Sequence, residues 1–322
     1  MKRFLVVLVV MLFACAVSGI AQEASADDPK VLIDFGSLEG TDVDFGAQAG
    51  SSISQEERDQ MKVSLEIGTP GDEESLKKNR WEADLASSAQ VGDNERLTYV
   101  AAAASQSKGT VLGVRCHFPA GAFNSYAIIR PPFEIPAYAG EDGTQFDGKG
   151  ILTNVGQIKY IELQVSGRNY PHGIAIILQD QSGEDRIIFV DYLRFDGWKT
   201  LVWRNPNYEE RSENRDLRPL PLYPLSQPFV KFKGFILYRD GSNVGGDFVT
   251  YIKDIKVAFD AAIRKGEEDI ADDDVWGILK ERQARRQAAE LRRLGNLQVL
   301  RFIDEQNHYT GRPPVDETQP SQ

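Results

Sequence analysis

Three histidines, two cysteines and four tryptophans are the residues of this 322-residue chain with the most chemistry to offer. A Ser-His-Asp hydrolase would take its base from His117, His172 or His308. The Gly-x-Ser-x-Gly turn that presents a nucleophilic serine in one large hydrolase class is absent. His117 alternates with Cys116 on a strand-like stretch and reads as an ordinary strand histidine. His172 reads as a turn residue in Tyr170-Pro171-His172-Gly173, and His308 lies in the tail. Cys116, within the apolar Val111 to Phe118, reads as a buried, inert thiol. So few histidines and cysteines leave little to hold zinc or iron, and no cofactor is expected. A glycoside hydrolase needs two carboxyl groups about 5–10 Å apart. Glu162, Asp191 and Asp196 read instead as solvated strand-edge acids, and Asp34 and Asp254 carry no pattern that marks them as calcium ligands. No catalytic constellation emerges, and the chain reads as non-enzymatic.

Two groups of side chains suggest binding rather than catalysis. Trp198, Trp203 and Tyr208 fall close together, and exposed aromatic rings are what a sugar-binding sandwich offers its ligand. The odd spacing of the two tryptophans sends them to opposite faces of an unbroken strand, so one can be core while the other is exposed. The second group is basic. Between residues 280 and 293, Lys280, Arg282, Arg285, Arg286, Arg292 and Arg293 face only Glu281 and Glu290. On a chain of formal charge −11, that asymmetry could steer docking to an acidic partner or a neighbouring subunit. It could equally fold back on the chain's own acidic sandwich. The overall charge argues against a nucleic-acid coat.

The elements that must position these groups are mostly strands. From Val31 to about residue 260, short segments of β pattern alternate with turns, and no helical period intervenes. In Gln157 to Val165, Ile161, Leu163 and Val165 alternate with Glu162 and Gln164. Gly173 to Gln179 is uniformly apolar, as a central strand would be, and Gln181 to Asp185 turns it into Arg186 to Val190 as a hairpin. The pattern predicts an antiparallel, jelly-roll-like β-sandwich over residues 22–262. A charged loop over Gly68 to Asn79 and a Pro-rich surface loop near 206–228 interrupt it. Residues 263–310 then form an acidic linker and an Arg-rich helical extension. Its main helix is predicted over Val275 to Leu294, with an apolar stripe of Trp276, Leu279, Leu291 and Leu294, and Gly295 as its left-handed stop. Leu297 to Ile303 reads as a shorter second helix, and residues 311–322 as a disordered tail.

At the other end, Lys2 and Arg3 precede the apolar run Phe4 to Val17, and Gly19-Ile20-Ala21 follows. That is the layout of a secretory signal peptide over residues 1–21. Lipoprotein processing at Cys15 is the alternative, disfavoured by the bulky Phe13 and by the apolar stretch continuing past Cys15. Cleavage after Ala21 leaves Cys116 as the one cysteine, which cannot form an internal disulfide, and no later segment is apolar enough to span a membrane.

Taken together, the signal peptide, the start at Val31-Leu32-Ile33-Asp34-Phe35, the phrases Phe195-Asp196-Gly197-Trp198-Lys199 and Leu201-Val202-Trp203-Arg204-Asn205-Pro206, the strand Tyr251 to Val257 and the Arg-rich tail resemble one family. They are similar to the outer-layer (sheath) proteins of spirochaete periplasmic flagellar filaments. The resemblance implies a non-enzymatic periplasmic protein that coats a flagellin core beside further copies or other sheath subunits, and so contributes to filament shape, stiffness and motility. It supplies no catalytic residues. The other reading, drawn from the residues, is a secreted carbohydrate-binding β-sandwich module.

Overall fold

The computed structural model describes residues 28–46, 54, 61–68, 80–137, 145–208, 228–262 and 272–311. The signal peptide, most of both interrupting loops, the acidic linker and the last residues of the tail lie outside the described residues.

Among the described residues, fourteen strands lie between residues 30 and 261, in the order β1 (Lys30–Asp34), β2 (Asp42–Asp44), β3 (Lys62–Ser64), β4 (Glu82–Leu85), β5 (Tyr99–Ser105), β6 (Gly109–Phe118), β7 (Ser125–Arg130), β8 (Ile151–Thr153), β9 (Val155–Arg168), β10 (Gly173–Asp180), β11 (Asp185–Tyr192), β12 (Asp196–Arg204), β13 (Phe229–Arg239) and β14 (Gly246–Ala261). They form two six-stranded sheets and the small β2–β3 ribbon. The first sheet runs β12-β9-β14-β6-β5, the second β11-β10-β13-β7-β4. Both share one plan. A long central strand pairs with one long neighbour on one edge and with two strands laid end to end on the other. On β14, β6 covers Gly246–Ile252 and β1 covers Asp254–Val257. On β13, β7 covers Phe235–Arg239 and β8 covers Phe229–Lys231. Every pair is antiparallel, so the expected sandwich is the fold observed.

Burial follows the alternation. Along β9, Ile161, Leu163 and Val165 are buried while their neighbours are partly exposed, and β10 and β13 are buried over most of their length. One end of the core is an aromatic cluster in which Phe35, Trp81, Phe232 and Phe235 meet at ring separations of 4.9 to 6.2 Å. Trp81 keeps its indole N–H satisfied there by donating to the Leu65 carbonyl at 2.8 Å. Cys116 is buried within the core, and burial pushes its thiol well above the ordinary range.

His172 lies in the connection between β9 and β10, as its turn sequence suggests, and it is buried there, its ring stacked on those of Phe118 and Phe248 at 5.4 and 4.4 Å. One expectation is corrected. The helical region breaks at Gly277, not at Gly295. A short α1 (Asp272–Trp276) leads to Gly277, which has a left-handed φ of 61°, and α2 then runs unbroken over Ile278–Gly311. Gly295 is buried inside α2 next to Leu294, where the helix lies on the sandwich and a small residue suits close contact. The stretch from Leu297 to Ile303 belongs to this same helix.

Candidate functional site

The groups that fix α2 come from β13, from β4 and from the segment after β7. Lys231 lies on the outer face of the second sheet, opposite Gln179 of β10. Its ammonium is almost wholly buried, donating to Glu134 at 3.3 Å and to Glu290 of α2 at 3.1 Å. The same Glu290 oxygen accepts the backbone N–H of Ala137 at 2.9 Å. One turn further on, Arg293 forks onto both oxygens of Glu134, at 2.9 and 3.4 Å. Arg301 then reaches Glu82 of β4 and the Pro132 carbonyl. Burial alone would raise the Glu134 carboxyl, but the hydrogen bond from Arg293 and the charges of Lys231, Lys233 and Arg293 hold it at about 2. Leu294 and Gln298 bury the helix side between these ion pairs. The helix is therefore strapped across one end of the second sheet's outer face by charges on both sides of a small apolar contact. An open cleft of about 950 Å³ runs beside it, walled by Arg286 and Ala289 of α2 and by the Asp180–Gly183 turn.

The five arginines singled out from the sequence divide accordingly. Arg293 points into its own sandwich. Arg286 lines the cleft, Arg285 pairs with Glu281 one turn earlier, and Arg282, Arg285, Arg286 and Arg292 are all exposed on the helix surface. Trp198, Trp203 and Tyr208 are not brought together into one platform. Trp203 packs against the core beside Leu201, Trp198 lies on the opposite face of β12, and Tyr208 hydrogen-bonds Asp260 at 3.1 Å. His117 and Arg115 share Asp247 on the surface, and His308 falls in the last turns of α2. Asp191 and Asp196 are exposed, on different sheets, and Glu162 sits on β9. The Asp34 carboxylate takes the Lys253 ammonium at 2.6 Å, while Asp254 lies near Lys256. Among the described residues, no three His, Cys, Asp or Glu side chains are grouped to hold a metal.

Sequence reasoning missed Glu134, Lys231 and Glu290. The sequence held no signal for them: Lys231 and Lys233 alternate with Val230 and Phe232, as they would on a strand with one wet face, and it is the distant Glu290 of α2 that meets Lys231.

Fold and site thus define a two-sheet antiparallel β-sandwich that carries a strapped-on basic helix. The sequence matches the flagellar filament outer layer protein family over residues 37–265. A flagellar filament outer layer protein of Spirochaeta aurantia is 44% identical over 94% of this chain and 92% of its own length. Those of Treponema pallidum and Borreliella burgdorferi are 36% and 30% identical, over 92% and 83% of this chain and 93% and 80% of their own. The chain belongs to the flagellar filament outer layer protein family. Among solved structures, a carbohydrate-binding module in complex with β-1,4-galactotriose superposes over 55% of this chain and 86% of its own, with 11% identity and a TM-score of 0.27. That superposition is too loose to bear on ligand or function.

Proposed function

We propose that this protein is a non-enzymatic subunit of the outer layer of a spirochaete periplasmic flagellar filament, laid over a flagellin core. The observation that carries this reading is the near full-length identity to three outer layer proteins. Residues 1–21 serve as the export signal that delivers the chain to the periplasm. The exposed arginines of α2 (Arg282, Arg285, Arg286 and Arg292) dock the subunit into the layer, while Arg293 holds the helix in place. The test is co-sedimentation of the protein lacking residues 1–21 with isolated periplasmic filaments. Saturable pelleting is expected, weakening as salt rises. Replacing Arg282, Arg285 and Arg286 by glutamate should reduce pelleting and flatten its salt dependence. Protein left in the supernatant at every concentration would overturn the proposal.

A further inference from the structure

At the end of the sandwich away from the α2 clamp, a cation is buried without a carboxylate. Arg239 closes β13, roughly 25 Å beyond Lys231 at the rise of a strand. It follows Phe235 and Leu237 on the core side of the strand and is only 1% exposed. Its two terminal nitrogens donate to the backbone carbonyls of Gly121 and Phe123, at 3.0 and 3.2 Å, and to that of Asn243. These oxygens satisfy N–H groups but carry no net charge. Among the described residues no carboxylate pairs with Arg239. The neighbouring Asp240 is exposed and accepts instead from the backbone N–H and the hydroxyl of Ser242. A buried charge left in that state is costly.

Three polar atoms beside it are left over. Arg239 Nε, Ser125 Oγ and His172 Nδ1 are each sealed from solvent, and none has a hydrogen-bond partner. The register sets their residues in a row. Ser125 of β7 stands directly opposite Arg239, and His172, one position before the Gly173–Tyr238 pair, falls opposite it on the other side. Opposed residues send their side chains to the same face. Here that face is the interior, where the His172 ring stacks on Phe118 of β6 and Phe248 of β14. Burial, and then the nearby charge of Arg239, keep this histidine neutral.

We infer that the row Ser125, Arg239, His172 is a binding site for one small inorganic anion of the size of chloride. Arg239 supplies the positive charge and its Nε–H, and Ser125 its hydroxyl. His172 supplies an N–H, with the proton of its neutral ring placed on Nδ1. A monoanion accepts from all three and cancels the buried charge at the same time. A water molecule would satisfy the same atoms but leave the charge of Arg239 uncancelled, and this decides for the anion. The site joins β13 to the segments on either side of it. Through the carbonyls of Gly121, Phe123 and Asn243 it also joins the loops over that end of the sandwich. An anion held only by the folded chain stabilises it in proportion to the logarithm of its concentration once the site is mostly filled. This inference goes beyond the outer-layer reading and does not rest on it.

The experiment is equilibrium urea unfolding of the protein without residues 1–21, at neutral pH and constant ionic strength. Sodium chloride replaces sodium gluconate stepwise, gluconate being far larger than the anion proposed. The urea midpoint should climb as chloride replaces gluconate, and bromide should act as chloride does. Ser125→Ala removes one donor and a single heavy atom. It should need about tenfold more chloride for the same rise in midpoint. Crystals grown in sodium bromide give a reading that needs no variant: an anomalous peak is expected in contact with Arg239 Nε and Ser125 Oγ. A parent midpoint that does not distinguish chloride from gluconate would overturn the inference. So would an equal rise in the parent and in Ser125→Ala, which is a general salt effect. Crystals with a water and no bromide beside Arg239 Nε would overturn it as well.

Discussion

Lys231 and His172 show how individual side chains set the protein's tolerance to change. Lys231→Ala would leave Glu134 and Glu290 buried near each other with their shared cation gone, although Arg293 still serves Glu134. Breaking a buried pair in this way costs about 3–5 kcal/mol, and a urea midpoint well below that of the parent is the expected result. His172 is read by pH. Burial among its neighbouring rings, and then the nearby charge of Arg239, lower its pKa from 6.5 to about 4. Between those values the unfolded chain binds the proton and the fold does not. Stability is therefore full above pH 6.5 and falls as pH drops toward 4. Glu134 extends the loss in the same direction, from its ordinary 4.5 down to about 2. His172→Phe, which keeps a stacked ring and removes the titration, should flatten stability against pH between 4 and 6.5 in urea titrations. Cys116 offers a further check: its thiol should resist alkylation at pH 8 in the folded protein and react once the protein is unfolded.

At the scale of elements, Gly234 marks where β13 can bend. The pairing with β10 shifts register between Ile177 and Leu178, opposite this glycine, and a Cβ at Gly234 would stand 2.2 Å from the Ile129 carbonyl oxygen. That neighbour is backbone and cannot swing aside. Gly234→Ala should destabilise the protein by about 1–3 kcal/mol, measured as a lowered urea midpoint with the fold retained. Such bulges leave no trace in a pattern of period two. Long strands were legible because one face is wet: β9 and the hairpin of β10 and β11 lie close to where their alternation puts them. Strands β2, β4 and β8 were not, since three or four residues hold too little alternation to be seen. The helix was visible in its composition, but its break was misplaced. Gly277 and Gly295 look alike in sequence, and only the contact of α2 with the sandwich decides which one sits within the helix. The clamp that holds α2 joins residues more than fifty positions apart, so spacing along the chain could not disclose it.

For the whole molecule, what counts is that the same plan serves both sheets and that the final long strand, β14, is central to one of them. A chain ending after Arg239 keeps β13 but loses β14, leaving β6, β9 and β1 without the strand that joins them. Such a truncated protein should show no cooperative thermal transition and no near-ultraviolet circular dichroism, whereas the parent should show both. The overall architecture was open to sequence reasoning because an uninterrupted succession of strands admits few alternatives to a sandwich. The order of strands in each sheet was not, because alternation tells which face a residue takes and nothing of which strand lies beside it.

The pairing of the first strand with the last has a consequence for how the chain is made. Asp34 and Lys253 meet across 219 positions, and the ladder of β1 is made with β14. A polypeptide emerging from its amino end therefore offers β1 long before β14 exists, and for most of its synthesis the first sheet has a missing middle. Non-local closure of this kind is slow to form. Until the final strand is delivered, the first sheet cannot close.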